Sequence, residues 1–182
     1  MLGEAFSRGA LRVKPRESLD PLALLRGERS VATPLEFMHA EGRRHLDLVG
    51  TGYAMVHLVS DRFLDVLSAG DFTGWTTYDV RVLEKSGDEV PGYHGFSVLG
   101  RCGPLDPARA ERVILPAPPG GRAMPGWRGF YFDPSSWDGR DVFLPDGTRC
   151  VFVVEAVRRE LKKAKVSNVR FERITEIERL FP

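Results

Sequence analysis

The chain has 182 residues, with 26 Lys and Arg against 25 Asp and Glu, a formal net charge of +1. A chain of this length buries a core without disulfide or metal staples, and its balanced charge excludes the Lys/Arg surplus that phosphate contacts in nucleic-acid binders demand. Its 42% hydrophobic and 28% charged content is that of an ordinary globular protein, and no apolar run approaches the roughly 20 residues of a membrane helix.

Residues 1–44 read as an N-terminal lead-in with short helices, one around 19–25 and a second opened by Pro34 and running through Ala40, since proline is tolerated in a first helical turn. Arg8, Arg12, Lys14 and Arg16 interrupt any signal-peptide core, so the expected location is the cytoplasm. Residues 46–49 and 54–59 read as strands around the Gly50-Thr51-Gly52 turn. Ser60 then caps a helix, Asp61 complements its dipole, and Phe63, Val66 and Leu67 lie along one face up to Gly70. Residues 76–83 alternate as a strand, and Ser86-Gly87-Asp88 turns into a partner at 93–99 to make a hairpin with a long loop.

Residues 104–125 hold six of the thirteen prolines and Gly120-Gly121, which predicts a connecting linker or an exposed functional loop. Residues 130–132, 141–144 and 150–153 are further strand candidates. A second helix is expected over 154–165, burying Val157, Leu161 and Ala164, with Lys162, Lys163 and Lys165 at the negative end of its dipole. A last strand over 169–174 precedes a short terminal helix that opens on the capping box Thr175-Glu176-Ile177-Glu178.

Two of these segments match each other. Shifted by 94 positions, Val59 falls on Val153, Asp61 on Glu155, Phe63 on Val157, Leu67 on Leu161, Phe72 on Val166, and Thr73-Gly74 on Ser167-Asn168. Each copy is a hydrophobic entry, an acidic first turn, an amphipathic helix, a small-polar turn and a strand. Neither carries a catalytic group.

Chemistry-bearing motifs are sparse. There is no Walker loop, no Rossmann glycine fingerprint and no metal-binding histidine pair; His39 and His45 are spaced for neither a helix face nor a strand. His57 sits in an apolar strand as a structural histidine, while His94 starts a strand and can face a groove. Ser60 lacks the glycines of a nucleophile elbow, and its capping role suffices. The glycine-rich run 95–103 has no helix N-terminus after it to cradle a phosphate. Trp137-Asp138-Gly139-Arg140-Asp141 forms a turn in which Trp137 and Arg140 are either core and local bonds or interface anchors. Cys102 and Cys150 are too few for a disulfide framework or a thiolate zinc site, and are expected to be reduced. Residues 61–91 hold seven acidic against three basic side chains, a field suited to steering a basic partner.

Val59-Ser60-Asp61-Arg62-Phe63, Thr73-Gly74-Trp75, Gly92-Tyr93-His94-Gly95, Trp137-Asp138-Gly139-Arg140-Asp141-Val142-Phe143 and Val166-Ser167-Asn168-Val169 together resemble an immunity-protein family of bacteria. It was first defined on a myxobacterial member and was formerly a domain of unknown function. The resemblance spans about residues 45–178 and leaves 1–44 without a counterpart. It implies an antidote to a polymorphic secreted toxin, with no catalytic residues, cofactor or metal, and with the cognate toxin or a similar protein as partner.

The expected architecture is α+β with two related lobes, each an amphipathic helix on a small, mainly antiparallel sheet. The lobes would span 45–103 and 128–182, joined through 104–127. Partner binding is expected at Tyr93, His94, Arg101, Trp127, Trp137 and Arg140. The alternative is a small enzyme or ligand-binding protein using the cleft between the lobes, with His94 or His57 beside a carboxylate of perturbed pKa.

Overall fold

The computed structural model describes residues 1–117 and 119–180. Pro118 of the proline-rich stretch and residues 181–182 at the end of the expected terminal helix lie outside the described residues. The first half runs β1 (Leu2–Glu4), β2 (Arg12–Pro15), α1 (Pro21–Arg26), β3 (Leu35–Glu41), β4 (Leu48–Gly50), β5 (His57–Ser60), α2 (Asp61–Ala69), β6 (Trp75–Tyr78), β7 (Val80–Leu83) and β8 (Glu89–Val90). The second runs β9 (Tyr93–Val98), β10 (Gly100–Cys102), β11 (Glu111–Leu115), β12 (Met124–Arg128), β13 (Val142–Pro145), β14 (Phe152–Val153), α3 (Glu155–Lys163), β15 (Val169–Phe171) and β16 (Glu178–Arg179).

The α+β class is as expected. Among the described residues the largest sheet is mixed and eight-stranded, ordered β6-β9-β5-β4-β2-β3-β7-β8, and smaller sheets are β10-β13-β14, β11-β12-β16 and β1-β15. The buried faces gather into three clusters. One joins Phe63 and Leu67 of α2 to Val157 and Leu161 of α3, with Leu48, Val59, Phe96, Val142 and Leu144 between them. The two helices therefore share one core. A second cluster lies on the large sheet around Phe37, Leu58 and Val82, and a third around Phe130, Phe143 and Phe152.

Several local expectations need correction. Residues 1–44 contain the first of the expected short helices as α1, but they are more than a lead-in with helices, because β1, β2 and β3 are all paired in sheets. The expected helix from Pro34 is the strand β3, in which Leu35 and Phe37 are buried while Met38 is exposed, so a period of two prevails over the proline signal. The expected terminal helix is replaced by β16, whose Arg179 pairs with Trp127. Residues 76–83 are not one strand: β6 pairs with β9, whereas β7 pairs with β3 and β8. Residues 130–132 lie outside the named strands, although the Phe130 N–H donates to the Ile174 carbonyl (2.7 Å). Within 104–127, β11 and the start of β12 form a hairpin arm.

The matched segments coincide in detail. α2 begins at residue 61 and α3 at residue 155, a difference of 94. Both helices close in a Schellman turn. The Phe72 N–H reaches the Leu67 carbonyl and the Val166 N–H the Leu161 carbonyl, each at 3.0 Å. The residue in left-handed conformation is Asp71 (φ 50) in one and Lys165 (φ 53) in the other. Strand pairing repeats too: Leu48 faces Val59 as Val142 faces Val153, and Val49 faces Leu58 as Phe143 faces Phe152.

The same spacing reaches the N-terminus. Leu2 pairs with Phe171 and bridges to Val151; Phe96, 94 positions after Leu2, pairs with Thr77 and His57, which lie 94 positions before Phe171 and Val151. The Ala5 N–H donates to the Asn168 carbonyl as the Leu99 N–H donates to the Gly74 carbonyl. Thus β1 closes the unit around α3, and β9 closes the unit around α2.

Candidate functional site

Two aspartates bridge the segments that carry α2 and α3. The Asp47 carboxylate accepts from the Ser60 hydroxyl (2.7 Å), the Ser167 N–H (2.7 Å) and the Ser167 hydroxyl (2.6 Å). Asp141, 94 positions later, accepts from the Thr73 N–H (2.8 Å) and hydroxyl (3.0 Å). The carbonyls of the same aspartates take the N–H groups of Ser60 (2.8 Å) and Val154 (2.9 Å), the residues immediately before the two helices. Each aspartate therefore anchors the start of its own helix and the turn after the other one. Burial opposes ionisation of Asp47, but the bonds from Ser167 and Ser60 and the nearby Arg62 outweigh it and hold its pKa below the usual value.

The next position is equally specific. Gly74 (φ +91) lies against the Val142 carbonyl, so that a Cβ there meets backbone. At the equivalent Asn168 (φ 59), the side-chain amide fills that space and donates to the Leu48 carbonyl (2.7 Å). Glycine and asparagine are the residues that tolerate this conformation most readily.

The six expected partner-binding residues fall into three places. Arg101, Trp137 and Arg140 interlock around the 137–141 turn. Asp138 accepts from the N–H groups of Arg101 (2.8 Å) and Arg140 (3.1 Å), the Trp137 indole donates to the Arg140 carbonyl (3.0 Å), and Arg140 reaches the Leu99 carbonyl (3.0 Å). The Arg101 guanidinium donates to the carbonyls of Val98 (2.6 Å), Gly100 (2.9 Å) and Arg26 (2.9 Å), stitching the end of α1 to this turn. Trp137 also packs against Phe143. Most of the polar capacity here is committed internally.

Tyr93 and His94 lie beside the start of α2. Tyr93 is buried, its hydroxyl donates to the Leu46 carbonyl (2.9 Å), and burial with the neighbouring Asp47 charge pushes its pKa up to about 12. His94 pairs with Asp61 at 2.7 Å. Trp127 sits on the hairpin arm with the Arg112 guanidinium 5.1 Å above its ring. That arm also presents Ile114, 69% exposed, and Met124.

His57 does not meet the requirement set for an acid–base residue. Burial alone holds its pKa at about 4, and no carboxylate contributes to that shift, so the ring is neutral at pH 7. Among the described residues no group of three or more His, Cys, Asp and Glu side chains is placed to hold a metal ion. Cys102 and Cys150 are free thiols, and burial pushes Cys102 up to about 11.

The aspartate anchors have no local sequence signature, because their partners are 120 and 68 residues away. Nor does the sequence around Phe6 and Tyr53 mark them as exposed aromatics. The one signal available for the anchors was the 94-residue offset itself, which places Asp47 on Asp141.

No curated protein matches this chain. The profile of the immunity protein family (Imm11) matches residues 10–176, which takes in most of the N-terminal segment 1–44, beyond the span of the resemblance read from sequence. A match of that extent, from β2 to β15 with α2, α3 and both aspartate anchors, makes the chain a member of the Imm11 immunity protein family.

Proposed function

We propose that this protein neutralises a cognate secreted toxin by binding it directly, with no chemistry of its own. Its membership of an immunity protein family carries this reading. The internal commitment of Tyr93, Arg101 and Arg140 supports it, because such bonds make a rigid surface that binds with little ordering entropy. The test is co-production with the product of the neighbouring toxin gene. The expected result is a co-purifying complex and survival of cells that otherwise die. Survival without a complex, with turnover of a small substrate, would replace the binding reading with an enzymatic one.

The organisation that serves this role is an internal duplication, in our reading. The related units, drawn from sequence at 45–103 and 128–182, extend back to copies beginning near Met1 and Gly95, each lending its first strand to the other. The repeated Schellman turns and aspartate anchors support this. Binding takes place in the cytoplasm of the toxin-producing cell, a placement supported by the free thiols and by the absence, among the described residues, of any helix long and apolar enough to cross a membrane.

A further inference from the structure

A cleft of about 500 Å³ opens between β1, the turn after β4 and the 149–151 segment. Four arginines line it, Arg12, Arg149, Arg170 and Arg179, against the single carboxylate of Glu4. Their local neutralisation is incomplete. Arg170 and Arg179 share the carboxylate of Glu172, at 3.5 and 2.9 Å. Arg12 meets Glu41 only at 3.5 Å, and Arg149 makes no ion pair among the described residues. The Arg179 Nε is buried without an acceptor there. A buried N–H left unpaired is costly, which favours a state in which an incoming oxygen accepts from it.

The rim supplies apolar anchors. Phe6 is 60% and Tyr53 40% exposed, and the Arg12 guanidinium stands 5.3 Å over the Phe6 ring. Val49, Val56 and Val151 form an apolar floor. Arginine and aromatic side chains around a cleft of this size are the combination enriched at interface hot spots. Guanidinium forks match carboxylates bidentately.

We propose that this cleft docks an acidic segment of a partner protein, whose Asp or Glu carboxylates enter between the arginines while an apolar side chain covers Phe6 and Tyr53. The proposal rests on the toxin-binding reading and names the chemistry of the toxin's contacting segment. None of the six residues expected from sequence, Tyr93, His94, Arg101, Trp127, Trp137 and Arg140, lines this cleft.

The test uses the full chain and a fluorescein-labelled hexaglutamate peptide, followed by anisotropy at about 50 mM salt, where surface charge is weakly screened. Wild type should bind it and should not bind hexalysine. The double variant R149E/R170E, altered at two exposed arginines, should bind about tenfold or more weakly with an unchanged circular dichroism spectrum. R159E on α3, an equal change of charge per residue outside the cleft, should bind as wild type does. Equal binding by the double variant overturns the proposal. So does complete displacement by millimolar inorganic phosphate, which marks a phosphate site, or tighter binding of a single-stranded oligothymidylate, which marks a nucleic-acid site. Cells carrying the neighbouring toxin separate the two readings. Protection by wild type and equally by the double variant defeats the cleft alone. Hexaglutamate binding without protection by wild type supports the cleft and defeats the neutralisation reading.

Discussion

Replacing Asp47 by alanine tests whether the two helix–strand units are joined by the aspartate anchors or only by their shared apolar core. Asp47 is 7% exposed and accepts three short hydrogen bonds from Ser60 and Ser167. Bonds to a charged acceptor contribute about 1.5–3 kcal/mol each, but removing the carboxylate also removes its desolvation penalty. The two serine hydroxyls can turn to other acceptors, whereas the Ser167 N–H is left facing an apolar methyl. Together these terms give a net loss of about 3–5 kcal/mol. For a chain of this size that is about 6–20 °C in Tm. Urea unfolding followed by tryptophan fluorescence reads the loss directly, provided the transition is two-state with an unchanged slope. Asp141→Ala should lose less, about 1–2 kcal/mol, because its carboxylate is half-buried and among the described residues accepts only from Thr73. A loss below about 1 kcal/mol for Asp47→Ala would refute the reasoning.

The same site has a pH signature. The folded-state pKa of Asp47 lies below its ordinary value, so the folded protein holds the ionised form more strongly than the unfolded chain does. Its stabilising contribution is complete above the unfolded value near 3.9 and is lost as pH falls through the folded value. The stability difference between wild type and Asp47→Ala should be flat from about pH 5 to 8 and shrink below about pH 4. A difference that instead grows on acidification would mean that the neutral form is the one held by Ser167.

Leu67→Ala and Leu161→Ala remove equivalent, fully buried side chains from the common core, and each should cost about 2–5 kcal/mol by chemical denaturation. A value below about 1 kcal/mol at either would show that the helices do not depend on each other's packing. Gly74→Ala places a methyl against the Val142 carbonyl at a positive φ, so it should destabilise by more than about 1 kcal/mol, while Gly52→Ala, in open space, should carry the backbone term alone. Equal effects of the two would remove the close approach as the cause. On the hairpin arm, Ile114→Asp should leave the unfolding midpoint within about 0.5 kcal/mol of wild type, because the side chain is exposed.

The elements legible in the sequence were those whose determinants are local. Ser60 does cap α2, accepting from the Phe63 N–H at 3.2 Å, and Asp20 caps α1 in the same way. Phe63 with Leu67, and Val157 with Leu161, sit one helical turn apart and are buried as their spacing requires. Where two local signals conflict, long-range pairing decides between them. Pro34 reads as a first helical turn, yet Leu35 and Phe37 alternate with Glu36 and Met38, and pairing of β3 with both β2 and β7 rewards that alternation. Thr175-Glu176-Ile177-Glu178 reads as a capping box, but Ile177 is needed in the cluster around Phe130, and the Gly129 N–H takes its carbonyl. A helix there would have to withdraw both.

What the chain concealed lies in contacts between distant segments. β1 is only three residues long, too short for a period to show, and its partner β15 begins at residue 169. The anchors are likewise invisible as a motif, since an aspartate before a short apolar run is unremarkable until its partner serine or threonine is known. Yet the offset of 94 applies to both members of each pair: Asp47 and Asp141 differ by it, and so do Thr73 and Ser167. Each of these bridges joins the α2 segment to the α3 segment, the two segments whose helices share one core. The exposed arginines of the cleft do not follow this spacing: 94 positions before Arg149 stands Met55, and 94 before Arg170 stands Thr76. The arginine cleft therefore lies outside the matched 94-residue spacing, and a feature that the shared core does not require is where a partner's chemistry is best sought.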